Sequence, residues 1–484
     1  GLYDYRWAYR ILNYLHIESR PVTVKRFLTF REGDTLTPKL LDEATRRLRG
    51  TSFMGEAEIE IIPTDSGNVA TVTVRDLWTT TISPSISYEG RVLEWSMEFK
   101  EVNLVGMGVD LRLRYEDDED YDSWLLETTL PRLLPNNASL NLYYSDATEI
   151  IGPTRSGFKI YRGRTCDADR YLYRTGIEFV GGEYPIIDDG NVRAGSFLTD
   201  DRKIYAGFKY LPTCEYGIGI GLFDAELYRE PREDTEGQIH RIDSDGIILS
   251  GSYLSRSFFV EKDVDGFGRS EDIARGVRIR AAGGISSAGE PSYASLSAAA
   301  ARKFRPGYLR LAAGYRKAPE TETISAEGMF FSNKFLSSRL CGRVHYGEII
   351  ESLPEYYYRL GGQSYLRGYQ SYRQVGERSL FGNLELRWFT PVEIFSVRLG
   401  GAVFADAGMA WSDADGDFSI SDPPVPLLGD VGMEIRLGSR SSTTGQIARL
   451  GVSRNLNGSW DFFLSSGQLF RTYYGIGHGL PTPW

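Results

Sequence analysis

The chain has 484 residues, a formal net charge of −10 and 41% hydrophobic residues. It holds no run of about 18 apolar residues, so no membrane-spanning helix is encoded, and the acidic balance argues against general nucleic-acid binding. Length alone would accommodate several soluble domains, yet no linker divides the chain, and large barrels escape that length rule.

Residues 1–19 form an N-terminal segment in which Gly1 leads to Tyr3, Arg6 and Trp7. A basic start followed by an apolar core is not seen there, as expected of a processed or trimmed chain. Residues 20–77 read as one small α/β domain. Val22 to Phe30 is strand-like and Gly33-Asp34 turns the chain; Thr37 is placed as a helix N-cap, with Pro38 at the first helical position and Gly50 as the stop. Leu40, Leu41, Ala44 and Leu48 supply the apolar stripe of that helix. Ala57, Ile59 and Ile61 then alternate, Asp65-Ser66-Gly67-Asn68 turns, and Val69 to Leu77 closes the domain, giving the order strand, helix, link, strand, strand.

From Trp78 onward the pattern alternates with period two. Val109, Leu111, Leu113 and Tyr115 oppose Asp110, Arg112 and Arg114, while Ala138, Leu140, Leu142 and Tyr144 oppose Ser139 and Asn141. Leu309, Leu311, Ala313 and Tyr315 oppose Arg310 and Arg316, and Met433, Ile435 and Leu437 oppose Glu434 and Arg436. A soluble sandwich would bury the apolar face and a membrane barrel would turn it to lipid, so alternation alone leaves both open. The aromatic supply, Tyr 30, Phe 24 and Trp 8, suits the interfacial girdles of a barrel as well as a sandwich.

Other patterns carry little chemistry. Cys166, Cys214 and Cys341 are odd in number and lack metal-ligand spacing, so isolated thiols with at most one disulfide are expected. His16, His240, His345 and His478 are scattered, which gives no metal site, no catalytic triad and no cofactor site. Gly217 to Leu222 mimics a dinucleotide loop but sits in strand-like alternation. Asp413, Asp415 and Asp417 suggest a calcium loop, yet Pro424 stands where the closing Glu belongs. The acidic run Glu116 to Asp122 reads as a solvated hairpin tip, with divalent-bridged contact to lipopolysaccharide as the sharper alternative.

The informative pair of motifs is Gly361-Gly-Gln-Ser-Tyr-Leu-Arg367-Gly368-Tyr369 and, about forty residues later, Phe404-Ala-Asp406-Ala-Gly408. In the second, Leu399, Val403, Ala405 and Ala407 share one strand face while Ala402, Phe404, Asp406 and Gly408 share the other. In the preceding segment Leu384, Leu386 and Trp388 oppose Asn383, Glu385 and Arg387. Two carboxylates therefore project inward from neighbouring strands, and the planar fork of Arg367 suits both.

Together these motifs resemble the outer-membrane assembly factor superfamily of BamA and TamA type, in which periplasmic POTRA domains precede a barrel. The resemblance covers about residues 20–470 and extends to Asn103–Gly108, similar to the opening of an early barrel strand, and to Gly467-Gln468-Leu469-Phe470, similar to the end of the last strand. It implies an all-β transmembrane barrel of 16 antiparallel strands over residues 78–470, preceded by one POTRA domain at 20–77. Arg367, Gly368 and Tyr369 would form the tip of a surface loop folded into the lumen, Arg367 pairing with Asp406 and Glu385. A lateral gate would lie between the first strand, with Ile82 and with Pro84 lacking a backbone donor, and the last, with Leu464 and Gly467. The implied activity is insertion or translocation of unfolded client proteins at the bacterial outer membrane, without enzymatic chemistry. Implied partners are outer-membrane lipid and lipopolysaccharide, together with periplasmic or lipoprotein accessory subunits. A dedicated exporter passing one partner through the lumen and a passive structural or diffusion barrel are the alternatives. Residues 471–484, rich in Gly and Pro with Tyr473, Tyr474 and Trp484, are expected as a tail docking in the periplasm or across the barrel mouth.

Overall fold

The computed structural model describes residues 18–466 apart from 50, 66, 77–78, 90, 118–121, 135–136, 148–151, 164–169, 189–191, 214, 233–238, 265–269, 288–290, 354–356, 363–364, 395–396, 413–414, 417–422 and 440–446. Trp78, Cys166, Cys214, His16, His478, Gly50, Gly467, Phe470 and the tail 471–484 lie outside the described residues, as do parts of the acidic run and of the Asp413–Asp417 loop.

The chain enters through two helices, α1 (Pro21–Phe27) and α2 (Pro38–Arg49), and a hairpin of β1 (Met54–Thr64) and β2 (Gly67–Asp76). The strand expected from Val22 to Phe30 is therefore corrected to a helix. Local propensity is misleading there, because Val22, Thr23 and Val24 are β-branched. Pro21 pre-sets helical φ at the first turn, and the Val24 N–H donates to the Arg20 carbonyl at 3.2 Å. Docking completes the argument: Thr23 is buried and its hydroxyl donates to the Gly106 carbonyl at 2.8 Å, while the Phe27 and Phe53 rings meet edge to face at 5.5 Å. The Thr37 hydroxyl accepts the Leu40 N–H at 3.3 Å at the start of α2. Phe27, Leu48, Phe53, Met54, Ala57 and Val102 form the core of this unit, so it packs onto the barrel itself.

The barrel runs from β3 (Thr80–Glu89) to β24 (Trp460–Ser466) and closes as a ring of twenty antiparallel strands. The expected count of sixteen is corrected. Short strands and tight connections explain the difference: Val109–Asp117 and Ile447–Asn455 have nine residues each, and the strands Pro291–Phe304 and Gly307–Ala318 are separated by two residues. Period-two alternation looks the same in every hairpin, so it cannot count them.

One face of each strand has no protein against it. On β22 (Leu428–Ser439), Met433 and Ile435 are 59% and 52% exposed, whereas Glu434 and Arg436 are 3% and 1% exposed. Trp95, Phe99, Leu113, Trp124 and Leu126 are likewise exposed on other strands. A sandwich would have buried this face against a second sheet; here it surrounds a single closed sheet, which fits a lipid surround. Inward-facing charged side chains such as Glu385, Arg387, Glu434 and Arg436 are buried on the lumen side. Gly217 to Leu222 lies inside a strand, Tyr216–Pro231, as expected.

The N-terminal unit marks one end of the barrel. There the turn at residues 105–108, between β4 (Val92–Leu104) and the strand from Val109, adopts left-handed φ at Val105, Gly106 and Gly108. A Cβ on Gly106 would lie 2.3 Å from the Glu18 carbonyl, so glycine permits the close approach.

Candidate functional site

The connection between β17 (Ser338–Ser352) and β20 (Arg378–Ile394) folds into the lumen instead of standing above it. Its base is a small hairpin of β18 (Tyr358–Leu360) and β19 (Gln374–Gly376). Gly361 holds φ +127°, and a Cβ there would come within 2.0 Å of the Gln370 carbonyl, so the turn into the tip requires glycine. Leu360, Leu366 and Tyr369 pack with Phe381, Ala410 and Leu428.

At the tip Arg367 is fully buried. Its Nε and Nη2 donate to the two carboxylate oxygens of Asp406, both at 2.8 Å, and Nη1 donates to Glu385 Oε1 at 2.8 Å and to Glu434 Oε2 at 3.4 Å. Its guanidinium carbon lies 3.5 Å from the centroid of the Phe404 ring. Asp406 stands on β21 (Val397–Trp411) opposite Asn383 of β20, whose amide also donates to it at 2.9 Å. The expected set of Arg367, Glu385 and Asp406 is thus brought together in one buried cluster.

The neighbours of Arg367 hold the tip by backbone. The Gly368 N–H donates to Asp430 Oδ2 at 3.1 Å, and the Tyr369 hydroxyl donates to the Gly429 carbonyl at 2.9 Å. From β23 (Ile447–Asn455), the Ser453 hydroxyl and the Asn455 amide donate to the carbonyls of Arg367 and Gly368, at 3.2 and 3.0 Å. A Cβ on Gly368 would sit 2.6 Å from Asp430 Cβ. Gly408 serves at one remove, because a Cβ there would lie 2.6 Å from Phe381 Cβ. Phe381 in turn stacks on Tyr365 of the loop at 4.3 Å. Gly432 leaves the room that the Phe404 ring fills.

Sequence motifs missed half of this cluster. Arg387 Nε donates to Glu385 Oε2 at 2.7 Å, Arg436 Nη2 reaches the same oxygen at 2.8 Å, Arg436 also pairs with Glu434, and Arg449 Nη1 is 3.5 Å from Glu434. With Asp430 the cluster contains four arginines and four carboxyl groups, and Glu385, Asp406 and Glu434 each pair with at least one arginine. The signal available was weak: Arg387, Glu434 and Arg436 belong to inward sets of the alternation, but only register places Glu434 opposite Ala402, four residues along β21 from Asp406. Chemically the site is a latch. It offers no nucleophile with a base and, among the described residues, no group of metal ligands.

The second candidate is the seam. Among the described residues β24 meets β3 through a single residue pair, Leu464 with Tyr88, whereas β3 pairs with β4 along ten residues. Pro84 sits in the middle of β3, opposite Met97 on the β4 side. Ile82 does not face Leu464. It lies six residues along the strand from Tyr88, about 20 Å away at 3.3 Å per residue. Nearby, Arg91 Nε and Asp461 Oδ2 approach to 3.4 Å across the seam, an ion pair with the Arg91 side chain 58% exposed.

No protein-family model and no curated protein sequence matches the chain. Among solved structures it is similar to BamA from Haemophilus ducreyi lacking POTRA domains 1–3, at 13% identity and a TM-score of 0.48, over 93% of this chain and 82% of that one. CdiB from Acinetobacter baumannii aligns at 12% identity and a TM-score of 0.46, over 93% and 72% of the two chains. CdiB from Escherichia coli aligns at 11% identity and a TM-score of 0.41, over 93% and 74%.

Proposed function

We propose that the chain is an outer-membrane barrel of the assembly factor type, which inserts or translocates client polypeptides. The observation that carries this reading is the loop latch. A surface loop is drawn into the lumen and fixed by a fully buried arginine on carboxylates from β20, β21 and β22. A passive pore gains nothing from burying so many charges, whose desolvation is costly unless every partner is kept. The Arg367-Gly368-Tyr369 tip and the Phe404-x-Asp406-x-Gly408 strand are also the residues on which the sequence resemblance rests.

The seam gives this reading a route. Among the described residues β24 meets β3 at Leu464 and Tyr88, so a client strand that added its edge to β3 at this seam would pass sideways into lipid. Pro84 weakens the same edge. In this proposal residues 20–77 serve as a POTRA domain, offering the two-stranded sheet β1–β2 to periplasmic partners for strand addition. Lipid and lipopolysaccharide surround the apolar exterior. Accessory periplasmic or lipoprotein subunits belong to the same proposal.

The test is reconstitution into proteoliposomes with an unfolded barrel as client, using Tyr88→Cys/Leu464→Cys to cross-link the seam. Insertion that stops on oxidation and returns on reduction supports lateral insertion. Full insertion with the seam verifiably cross-linked refutes it and favours passage through the lumen; no acceleration of client folding in any state favours a passive barrel.

A further inference from the structure

Across the lumen from the latch the wall has a different chemistry. Lys209 on β10 (Val192–Tyr210) and Arg280 on β13 (Ser270–Ser286) face inward, since their strand neighbours Phe208, Tyr210 and Ile279 are the exposed residues. Between them, β11 (Tyr216–Pro231) and β12 (His240–Lys262) contribute Gly217 paired with Ser252 and Gly219 paired with Ser250. A Cβ on Gly217 would stand 2.4 Å from Lys209 Cε, so the missing side chain is what lets the lysine lie across the floor towards β13.

Elsewhere in the lumen cations are matched: Arg112 with Glu98 at 2.6 Å, Arg343 with Glu327 at 2.8 Å, Arg316 with Glu320 at 2.9 Å. Lys209 and Arg280 have neither a hydrogen-bonded nor an ion-paired partner among the described residues, although Arg278 and Arg280 lie near enough for their charges to act on Lys209. The adjoining cavity of about 410 Å³ is lined by Lys159, Arg162, Arg174 and Lys209, with no carboxylate among its lining residues. Gathering like charges in a partly dry wall is unfavourable unless an anion completes it. Lys209 is the penultimate residue of β10, which places the site at the mouth nearest the N-terminal unit.

We propose that this wall binds extended polypeptide segments rich in Asp and Glu, whose carboxylates meet Lys209 and Arg280 over the Gly/Ser floor. The spread of the cations favours a chain over a compact anion. Lys159 on the strand Gly152–Arg162 and Arg280 on β13 are five strand spacings apart, about 24 Å, whereas carboxylates on one face of an extended chain recur about every 7 Å. Small side chains on the intervening strands leave the backbone of such a segment room to lie flat.

The experiment uses the full chain in detergent and a fluorescent ten-residue oligoglutamate at low salt, with oligolysine and inorganic phosphate for comparison. No client is inserted, so the outcome is separate from that of the insertion assay. The expected result is binding that weakens with salt, is not matched by oligolysine, survives millimolar phosphate, and falls at least about tenfold in Lys209→Gln/Arg280→Gln. Heat-modifiable mobility checks that the variant barrel is folded, and single variants serve if the double does not fold. Undiminished binding in folded variants, or displacement by equimolar phosphate, would overturn the proposal.

Discussion

Replacing Arg367 with Ala tests the latch, and the network tells where the cost falls. Glu385 would keep Arg387 at 2.7 Å and Arg436 at 2.8 Å, and Glu434 would keep Arg436 and Arg449. Asp406 would lose both 2.8 Å bonds and retain the Asn383 amide at 2.9 Å. One buried carboxylate is thus left without a cation, a change that costs about 3 to 5 kcal/mol, and the Phe404 ring loses the guanidinium 3.5 Å from its centroid. The tip keeps its Gly368 and Tyr369 bonds, so the loop loosens while the barrel stays closed. At about 1.4 kcal/mol per factor of ten, the undocked population rises by about 10² to 10⁴. Chymotrypsin is the suitable probe, because Tyr369 and Tyr372 are buried when the loop is docked. Cleavage within residues 361–373 should accelerate accordingly where opening is fast relative to cutting, with unchanged heat-modifiable mobility. Asp406→Ala should relieve part of the defect in the double variant, since the stranded charge is gone. Parent-like cleavage of Arg367→Ala would refute the reasoning.

Further expectations follow from the same geometry. Gly368→Ala forces a Cβ to within 2.6 Å of Asp430 and should loosen the loop by about 1 to 3 kcal/mol without removing any charge, read by the same chymotrypsin assay. Cysteine pairs across the seam should cross-link at Tyr88/Leu464 and not at Ile82/Leu464; efficient closure of the second pair would show that the register is wrong. Arg91→Ala removes a cross-seam ion pair that is largely exposed on the arginine side, so it should change barrel stability by under about 1 kcal/mol in detergent denaturation, far less than Arg367→Ala. Gly432→Ala should displace the Phe404 ring from Arg367 and lower latch stability, visible as faster loop cleavage and as a changed fluorescence of nearby aromatics.

What the sequence determined by itself was whatever depends on residues close along the chain. The inward set of Asn383, Glu385 and Arg387 and that of Phe404, Asp406 and Gly408 follow from a period of two, which is local geometry. The partnership of Arg367 with both acids was legible through the family resemblance of the two motifs, period two showing only that both acids point inward. Tertiary structure decided the rest. Twenty strands rather than sixteen, and the register that sets Tyr88 opposite Leu464, are matters of pairing, and neighbouring hairpins with the same alternation carry no local mark of either. Glu434, Arg436 and Arg449 joined the latch for the same reason: register set their height in the lumen. At Pro21–Phe27 three β-branched residues pointed to a strand, and the contacts of Thr23 and Phe27 with the barrel turn and Phe53 made it a helix, since burial and satisfied hydrogen bonds outweigh a propensity difference of well under about 1 kcal/mol per residue.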